Sequence, residues 1–199
     1  MTDALDQTFQ ELRAALKHED RLVPTHADPF FTFVYDPAHT IELHARLRRW
    51  GSLLEGDGFQ PEVQSLCELL WAIVDASGRW EDWLEVEERG KYLNANKSMR
   101  DVLQREGDDV ASPERAGLMA RVRRLLEPKT QGRIVLLTDA ALLHPWFRVD
   151  KLGPALHDAI GCPTVLFYPG HRLGLYSLRF LDFYPEDGGS PRTTILGSP

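Results

Sequence analysis

Two continuous apolar runs in the C-terminal half constrain the fold more than any other feature of the sequence. One lies in RIVLLTD, residues 133–139, and the other in PTVLFY, residues 163–168. Such runs are typical of strands that are buried on both faces of a parallel sheet. Between them, Leu152, Leu156 and Ile160 recur at helical spacing. The sequence therefore predicts a right-handed strand–helix–strand unit with parallel strands.

The N-terminal half predicts three further helices and two further strands. Apolar periodicity places the helices at about residues 5–16, 43–54 and 67–76. Strands are expected at residues 30–36 and 61–66. The second helix should end in the turn Gly56-Asp57-Gly58 and the third at Ser77-Gly78, because glycine readily takes the left-handed conformation of a helix C-terminus.

Residues 79–128 hold only helical patterns, which predict a helical layer or an insertion within a single α/β domain, residues 1–199. Ser112-Pro113 is expected to begin the last of these helices, with serine as the N-cap. Acidic residues dominate the start of the segment and arginines its end. Arg121, Arg123 and Arg124 form a candidate basic patch for a protein partner, and the alternative is a pair of solvated helix faces.

The runs SLRFLDF, residues 177–183, and RTTIL, residues 192–196, predict additional strands at the sheet edge. The whole pattern predicts an α/β fold with a mostly parallel sheet of about five to six strands and helices on both faces.

Composition argues against several classes of function. The net charge is −7, which opposes the basic excess typical of nucleic-acid binding, so direct nucleic-acid binding is not expected. A weaker hypothesis is DNA contact through arginine clusters such as Arg46, Arg48 and Arg49. No apolar run is long enough to span a bilayer, and the N-terminus lacks the pattern of a signal peptide. We therefore expect a cytoplasmic protein, with Cys67 and Cys162 as reduced thiols.

Candidate site residues are those that follow the predicted strands, since ligands of open α/β sheets bind at the carboxyl ends of the strands. Asp36 follows the first strand. Asp139 follows the strand RIVLLT, with His144 and Arg148 further along the chain. His171 and Arg172 follow PTVLFYPG. These residues form a candidate surface for a ligand or partner, and Asp36, Asp139 and His144 are a candidate tertiary metal site.

Sequence motifs for catalysis are missing. The strand IVLLTD is similar to an ATPase strand that ends in a magnesium-binding aspartate, but the chain has neither G-x-x-x-x-G-K-[ST] nor G-x-G-x-x-G. The histidines lack the spacing of a zinc site, and no nucleophile elbow is present. We therefore predict no catalytic residue, no metal, no cofactor and no small-molecule substrate.

The dipeptide Pro169-Gly170 is expected to end the strand PTVLFY. A phosphate site there would need a helix N-terminus, whereas the following LGLYSLRF is strand-like. His171 and Arg172 are therefore interpreted as turn residues that face a partner.

The C-terminal third resembles the BrxB family, a domain of unknown function from the BREX bacteriophage-exclusion systems. Its pattern is an apolar strand, a loop with a proline and then an arginine, a leucine-containing helix, the strand P-T-[VI]-L-F-Y-P-G and then L-R-F. The matching positions here are Pro145, Arg148, Leu152, residues 163–170 and residues 178–180. One departure is Asp139-Ala140-Ala141, where the family tends to place glycine or arginine.

This resemblance implies a non-catalytic scaffold in an anti-phage complex. The implied partners are a PglZ-type protein, which is alkaline-phosphatase-like, and other BREX components, and the resemblance is also compatible with a homodimer. The alternative is a nucleotide- or metal-dependent enzyme with a strand-end site around Asp36, Asp139 and His144, joined by His171 and Arg172.

Overall fold

The computed structural model describes residues 3–17, 29–105, 116–149, 152–156, 160–174, 177–182, 187–188 and 193–197. Helices and strands alternate through much of this part of the chain. The α-helices are α1 (Ala4–Leu16), α2 (Thr40–Gly56), α3 (Leu66–Ser77), α4 (Trp80–Glu88), α5 (Tyr92–Leu103), α6 (Leu118–Leu126) and α7 (Leu152–Leu156). The strands are β1 (Phe30–Tyr35), β2 (Gln60–Ser65), β3 (Arg133–Thr138), β4 (Thr164–Arg172), β5 (Ser177–Phe180), β6 (Asp187–Gly188) and β7 (Thr194–Leu196). Short 3-10 helices, Pro37–His39 and Ala140–Leu143, follow β1 and β3.

The sheet has the strand order β2-β3-β4-β1-β7, and all neighbours in this order run parallel. Strands β5 and β6 extend it as an antiparallel ribbon, in which β5 pairs with the last three residues of β4. The predicted parallel pairing of RIVLLT with PTVLFY is confirmed by the register Val135↔Thr164 to Leu137↔Leu166. The predicted α/β class with a mostly parallel sheet is therefore confirmed.

Two apolar cores lie on opposite faces of the sheet, because alternate residues of the strands point to opposite sides. Ile134 and Leu136 pack with α1 and α2, whereas Val135 and Leu137 pack with the helices from α3 onward. All four side chains are at most 1% exposed. Helices on both faces were predicted, and the two cores confirm this arrangement.

Helices α1 and α2 are joined by aromatic packing and by ion pairs. The indole of Trp50 is fully buried and stacks on Phe9 with ring centroids 4.6 Å apart. Arg46 and Arg49 of α2 pair with Asp3 and with Asp6 of α1. These two arginines therefore belong to the contact between the helices, which weakens the hypothesis that they bind DNA.

The middle helices form a layer on one face of the sheet. Trp83, Met99 and Leu118 contribute to the same core as α3 and the strand residue Val135. Ser112-Pro113 lies outside the described residues. The prediction that it begins the last helix is wrong, because α6 begins at Leu118 with Gly117 at its N-cap.

Strand β4 is longer than predicted, and the prediction that Pro169-Gly170 ends it is wrong. The strand runs parallel to β1 as far as Pro169 and then pairs antiparallel with β5 from Gly170 to Arg172. Gly170 has φ 158°, and a Cβ there would lie 2.0 Å from the carbonyl oxygen of Arg179. A glycine at this position therefore lets β4 change partners rather than stop.

Candidate functional site

The carboxyl ends of β1, β3 and β4 lie at one edge of the sheet, as their parallel pairing requires. Asp36 directly follows β1 and Asp139 directly follows β3. His171 lies on β4, in its antiparallel extension beyond the last residue paired with β1. The predicted residues of three different strands are thus brought to a common edge, but their contacts differ from those predicted.

Asp139 is held in a conformation that is uncommon for residues other than glycine. Its φ is 61° and ψ 28°, in the left-handed region. One carboxylate oxygen, Oδ1, lies 3.0 Å from Nε2 of His44, and Oδ2 accepts a hydrogen bond from Oγ1 of Thr138 at 3.0 Å. Asp139 therefore pairs with His44 of α2, a residue that was not among the predicted site residues.

Sequence spacing could not reveal this pair, because His44 and Asp139 are brought together only by the strand order. The available signal is that α2 begins almost directly after β1, which places its first turns near the carboxyl edge of the sheet.

The charge of Asp139 contributes to the pKa shifts of two further ionisable groups. Burial raises the pKa of the Tyr35 hydroxyl, a hydrogen bond with Thr40 opposes this shift, and the carboxylate of Asp139 adds to it. Burial also raises the pKa of the Cys67 thiol, again with a contribution from Asp139. A raised pKa keeps a thiol protonated, which makes Cys67 a poor nucleophile.

Asp36 has a structural role at the end of β1. Its Oδ1 accepts a hydrogen bond from the backbone N–H of Ala38 at 2.8 Å and so caps the 3-10 helix that follows. The same residue lines a pocket of about 250 Å³ together with His39, Gly170 and His171, and the first turns of α1 close one side. Asp36 and His171, both predicted as site residues, therefore share a pocket.

The extension of β4 carries its own polar contacts. Nε2 of His171 lies 2.9 Å from Oδ1 of Asp182, and both side chains are about half exposed. Arg172 donates through Nε to the carbonyl of Gly174 at 2.8 Å and through Nη1 to that of Gly197 at 3.3 Å. His171 and Arg172 are thus strand residues whose side chains contact neighbouring loops. They are not residues of a turn that ends β4.

The remaining predicted residues lie apart from this pocket. His144 is half-buried and its backbone N–H donates to the carbonyl of Ala141, while Arg148 is exposed. Within the described part of the chain, no group of three or more His, Cys, Asp or Glu side chains is placed to hold a metal ion. The structure therefore does not assemble Asp36, Asp139 and His144 into a metal site.

The candidate basic patch on α6 makes contacts to the backbone. Nε of Arg121 donates to the carbonyl of Ala116 at 3.2 Å, and Nη2 of Arg123 donates to that of Ala155 at 3.3 Å. Arg124 is half-buried. Two of the three arginines thus stabilise loops and the junction with α7, which reduces their availability to a partner.

Comparison with known proteins supplies the decisive observation. The family model described as BREX protein BrxB matches residues 63–188, well over half of the chain. The chain belongs to the BrxB family. The resemblance inferred from the C-terminal residues is therefore confirmed. No curated protein and no solved structure matches the chain.

BrxB membership makes the chain a component of a BREX phage-defence system. The matched residues include Asp139 and His171 but not Asp36 or His44, so the BrxB match covers only part of the strand-end edge. No helix in the described ranges is both long and apolar enough to cross a membrane.

Proposed function

We propose that this BrxB-family chain is a non-catalytic scaffold that docks a PglZ-type protein within a BREX complex. Membership of the BrxB family carries the proposal, since it makes the chain a BREX component. BrxB resemblance implies the PglZ-type protein as partner, and other BREX components are further candidates.

The contacts at the strand-end edge support the non-catalytic part of the proposal. Asp36 caps a 3-10 helix, Asp139 pairs with His44 and Thr138, and His171 pairs with Asp182. These three contacts are separate from one another, whereas the working groups of a catalytic site contact each other and converge on one reacting atom.

Co-purification tests the scaffold proposal. The chain is tagged at its locus in the native BREX operon, purified, and its companions are identified by mass spectrometry. We expect the PglZ-type protein to elute with it, and the same lysate with an untagged chain is the control. Recovery of the chain without any BREX protein would reject the proposal. Light scattering on the purified chain separately decides whether it is a monomer or a homodimer.

The second candidate is a nucleotide- or metal-dependent enzyme, and the shared pocket of Asp36 and His171 favours it over other catalytic hypotheses. The double variant Asp36→Asn, Asp139→Asn separates the two functions. Asparagine can still cap a helix and tolerates the left-handed region, so the fold should survive while both carboxylates are lost.

If the chain is a scaffold, we expect cells with this double variant to keep wild-type protection against phage in a plating assay. We also expect the melting temperature of the wild-type chain to stay unchanged with Mg²⁺, Mn²⁺ or ATP, since a ligand that binds the native state must raise the melting temperature. Loss of protection by a folded double variant, or a rise in melting temperature that the variant abolishes, would favour the enzyme.

A further inference from the structure

Two tryptophans are exposed on the helical layer and touch each other. Trp71 of α3 and Trp80 of α4 are 45% and 43% exposed, and their ring centroids are 5.6 Å apart in an edge-to-face arrangement. By contrast, Trp50 and Trp83 are at most 5% exposed. Exposed tryptophan is uncommon on protein surfaces and is enriched where partners bind.

The two helices that carry these rings are both packed into the core. On α3, Leu70 and Val74 are buried in the core beside the sheet, which turns Trp71 outward. On α4, the buried Trp83 donates from Nε1 to Oγ of Ser98 at 3.0 Å and fixes the helix against α5. A partner would therefore meet an ordered surface and would lose little of its binding energy to ordering side chains.

Helical spacing extends the exposed apolar stripe along α4. Trp80, Leu84 and Glu88 follow each other at intervals of four residues and share one face. Leu84 is 38% exposed. We name the surface formed by Trp71, Trp80, Leu84 and Glu88 the tryptophan face.

The helix that carries Trp80 and Leu84 also carries five acidic residues, which we call the acidic rim of the tryptophan face. All five acidic residues of α4 are exposed, and only Glu85 among them has an ion pair within the described residues, with Arg89. The five are Glu81, Asp82, Glu85, Glu87 and Glu88. An apolar aromatic centre with a rim of negative charge is complementary to a segment that carries lysine or arginine, because these cations also bind aromatic faces.

We infer that the tryptophan face binds a basic segment of a protein partner, with arginine or lysine side chains packed on Trp71 and Trp80 and paired with the acidic rim. This inference rests on the proposed function in so far as the partner is a BREX protein. Nucleic acid does not fit the surface, because its phosphates would meet the carboxylates of α4.

Fluorescence polarisation with a labelled oligo-arginine peptide tests the chemistry of the surface. The test variants are Trp71→Ser, Trp80→Ser and Glu88→Lys. Glu88 lies in the last turn of α4, where a cation suits the helix dipole, so Glu88→Lys should keep the fold even if a tryptophan variant loses stability. Melting temperatures are recorded for every variant.

Matched controls lie on α2, on the opposite face of the sheet. Ile41 is 85% exposed, so Ile41→Ser removes an exposed apolar side chain elsewhere. Glu55 is exposed in the last turn of α2, so Glu55→Lys changes the net charge as Glu88→Lys does. We expect each test variant to weaken peptide binding about five- to tenfold, and the controls to bind like the wild type. Equal loss with Glu55→Lys and Glu88→Lys, or no loss with any variant, would overturn the inference.

The same variants in the tagged native operon separate this inference from the proposed function. If the wild-type chain captures a BREX protein and all three test variants capture it equally well, the inference about the tryptophan face is wrong. The scaffold proposal is then retained. If the wild-type chain captures no BREX protein but the peptide is bound as expected, the scaffold proposal is wrong. The inference that the tryptophan face binds a basic segment is then retained.

Discussion

Asp57 joins the end of α2 to α1 through charged hydrogen bonds. Its Oδ2 and Oδ1 accept from Nε and Nη2 of Arg13 at 2.6 and 2.9 Å, and Nζ of Lys17 lies 3.1 Å from Oδ1. These cations lower the pKa of the Asp57 carboxyl from 3.8 to about 2. A lowered pKa in the folded state means that the ionised carboxylate stabilises the fold.

We predict that Asp57→Asn lowers the free energy of unfolding by about 1 kcal/mol at neutral pH. The wild-type contribution is complete above the ordinary pKa of 3.8 and is lost as the pH falls toward about 2. Urea unfolding of both proteins across this range measures the difference. A difference that stays constant down to pH 2 would show that the ion pairs are not its source.

At Gly170 the constraint is steric. A methyl group there would lie 2.0 Å from the carbonyl oxygen of Arg179, well inside contact distance. We predict that Gly170→Ala destabilises the chain by about 2–4 kcal/mol, because β4 and β5 must separate. Gly174→Ala is the control, since no atom of the described residues lies within 4 Å of a Cβ at that position. Thermal unfolding of the two variants checks the prediction, and equal stability of the two would contradict it.

At the scale of elements, Trp50 joins two helices to the sheet. It stacks on Phe9 of α1 and lies 5.6 Å from Phe33 of β1 and 6.3 Å from Phe167 of β4, measured between ring centroids. Its Nε1 donates to Oδ1 of Asp6 at 3.0 Å. One side chain thus contacts elements from both halves of the chain.

We predict that Trp50→Ala costs about 3–5 kcal/mol of stability, the range for removing a buried large aromatic side chain. Urea unfolding measures this cost. Replacing the exposed Ile41 by alanine should change stability by less than about 0.5 kcal/mol. A small effect at Trp50 would mean that α1 is not firmly attached to the sheet.

Elements with a clear local signal were predictable from the sequence. The apolar runs of β1, β3 and β4 predicted strands because such runs need cover on both faces, and Gly78 ends α3 with φ 62° as expected. The extension of β4 past Gly170 was not predictable, because a Pro-Gly pair usually marks a turn and only the pairing with β5 makes it a strand.

The site depends on contacts between distant parts of the chain, and these were less predictable. The strand ends were correctly expected to lie together, since parallel strands share an edge. The pairing of Asp139 with His44 required the strand order, which the sequence did not give. The tryptophan face was hidden for a related reason: Trp71 and Trp80 read as ordinary apolar positions until the buried sides of α3 and α4 are known.

At the scale of the whole molecule, the two faces of the sheet differ in their surfaces. On one face, ion pairs join α1 to α2. On the other face, α3 and α4 carry two exposed tryptophans beside acidic residues. This difference favours the α3–α4 face as the partner surface of the proposed scaffold. Trp71 and Trp80 lie within the residues that the BrxB family model matches.

Direct binding between two purified proteins tests the scaffold proposal most directly, because co-purification can pass through a third component. The chain is titrated into the PglZ-type protein of the same operon in a calorimeter, with Glu55→Lys as a control for net charge. We predict saturable binding that Glu55→Lys preserves and Glu88→Lys weakens. Absence of binding at concentrations where both proteins are folded would contradict it.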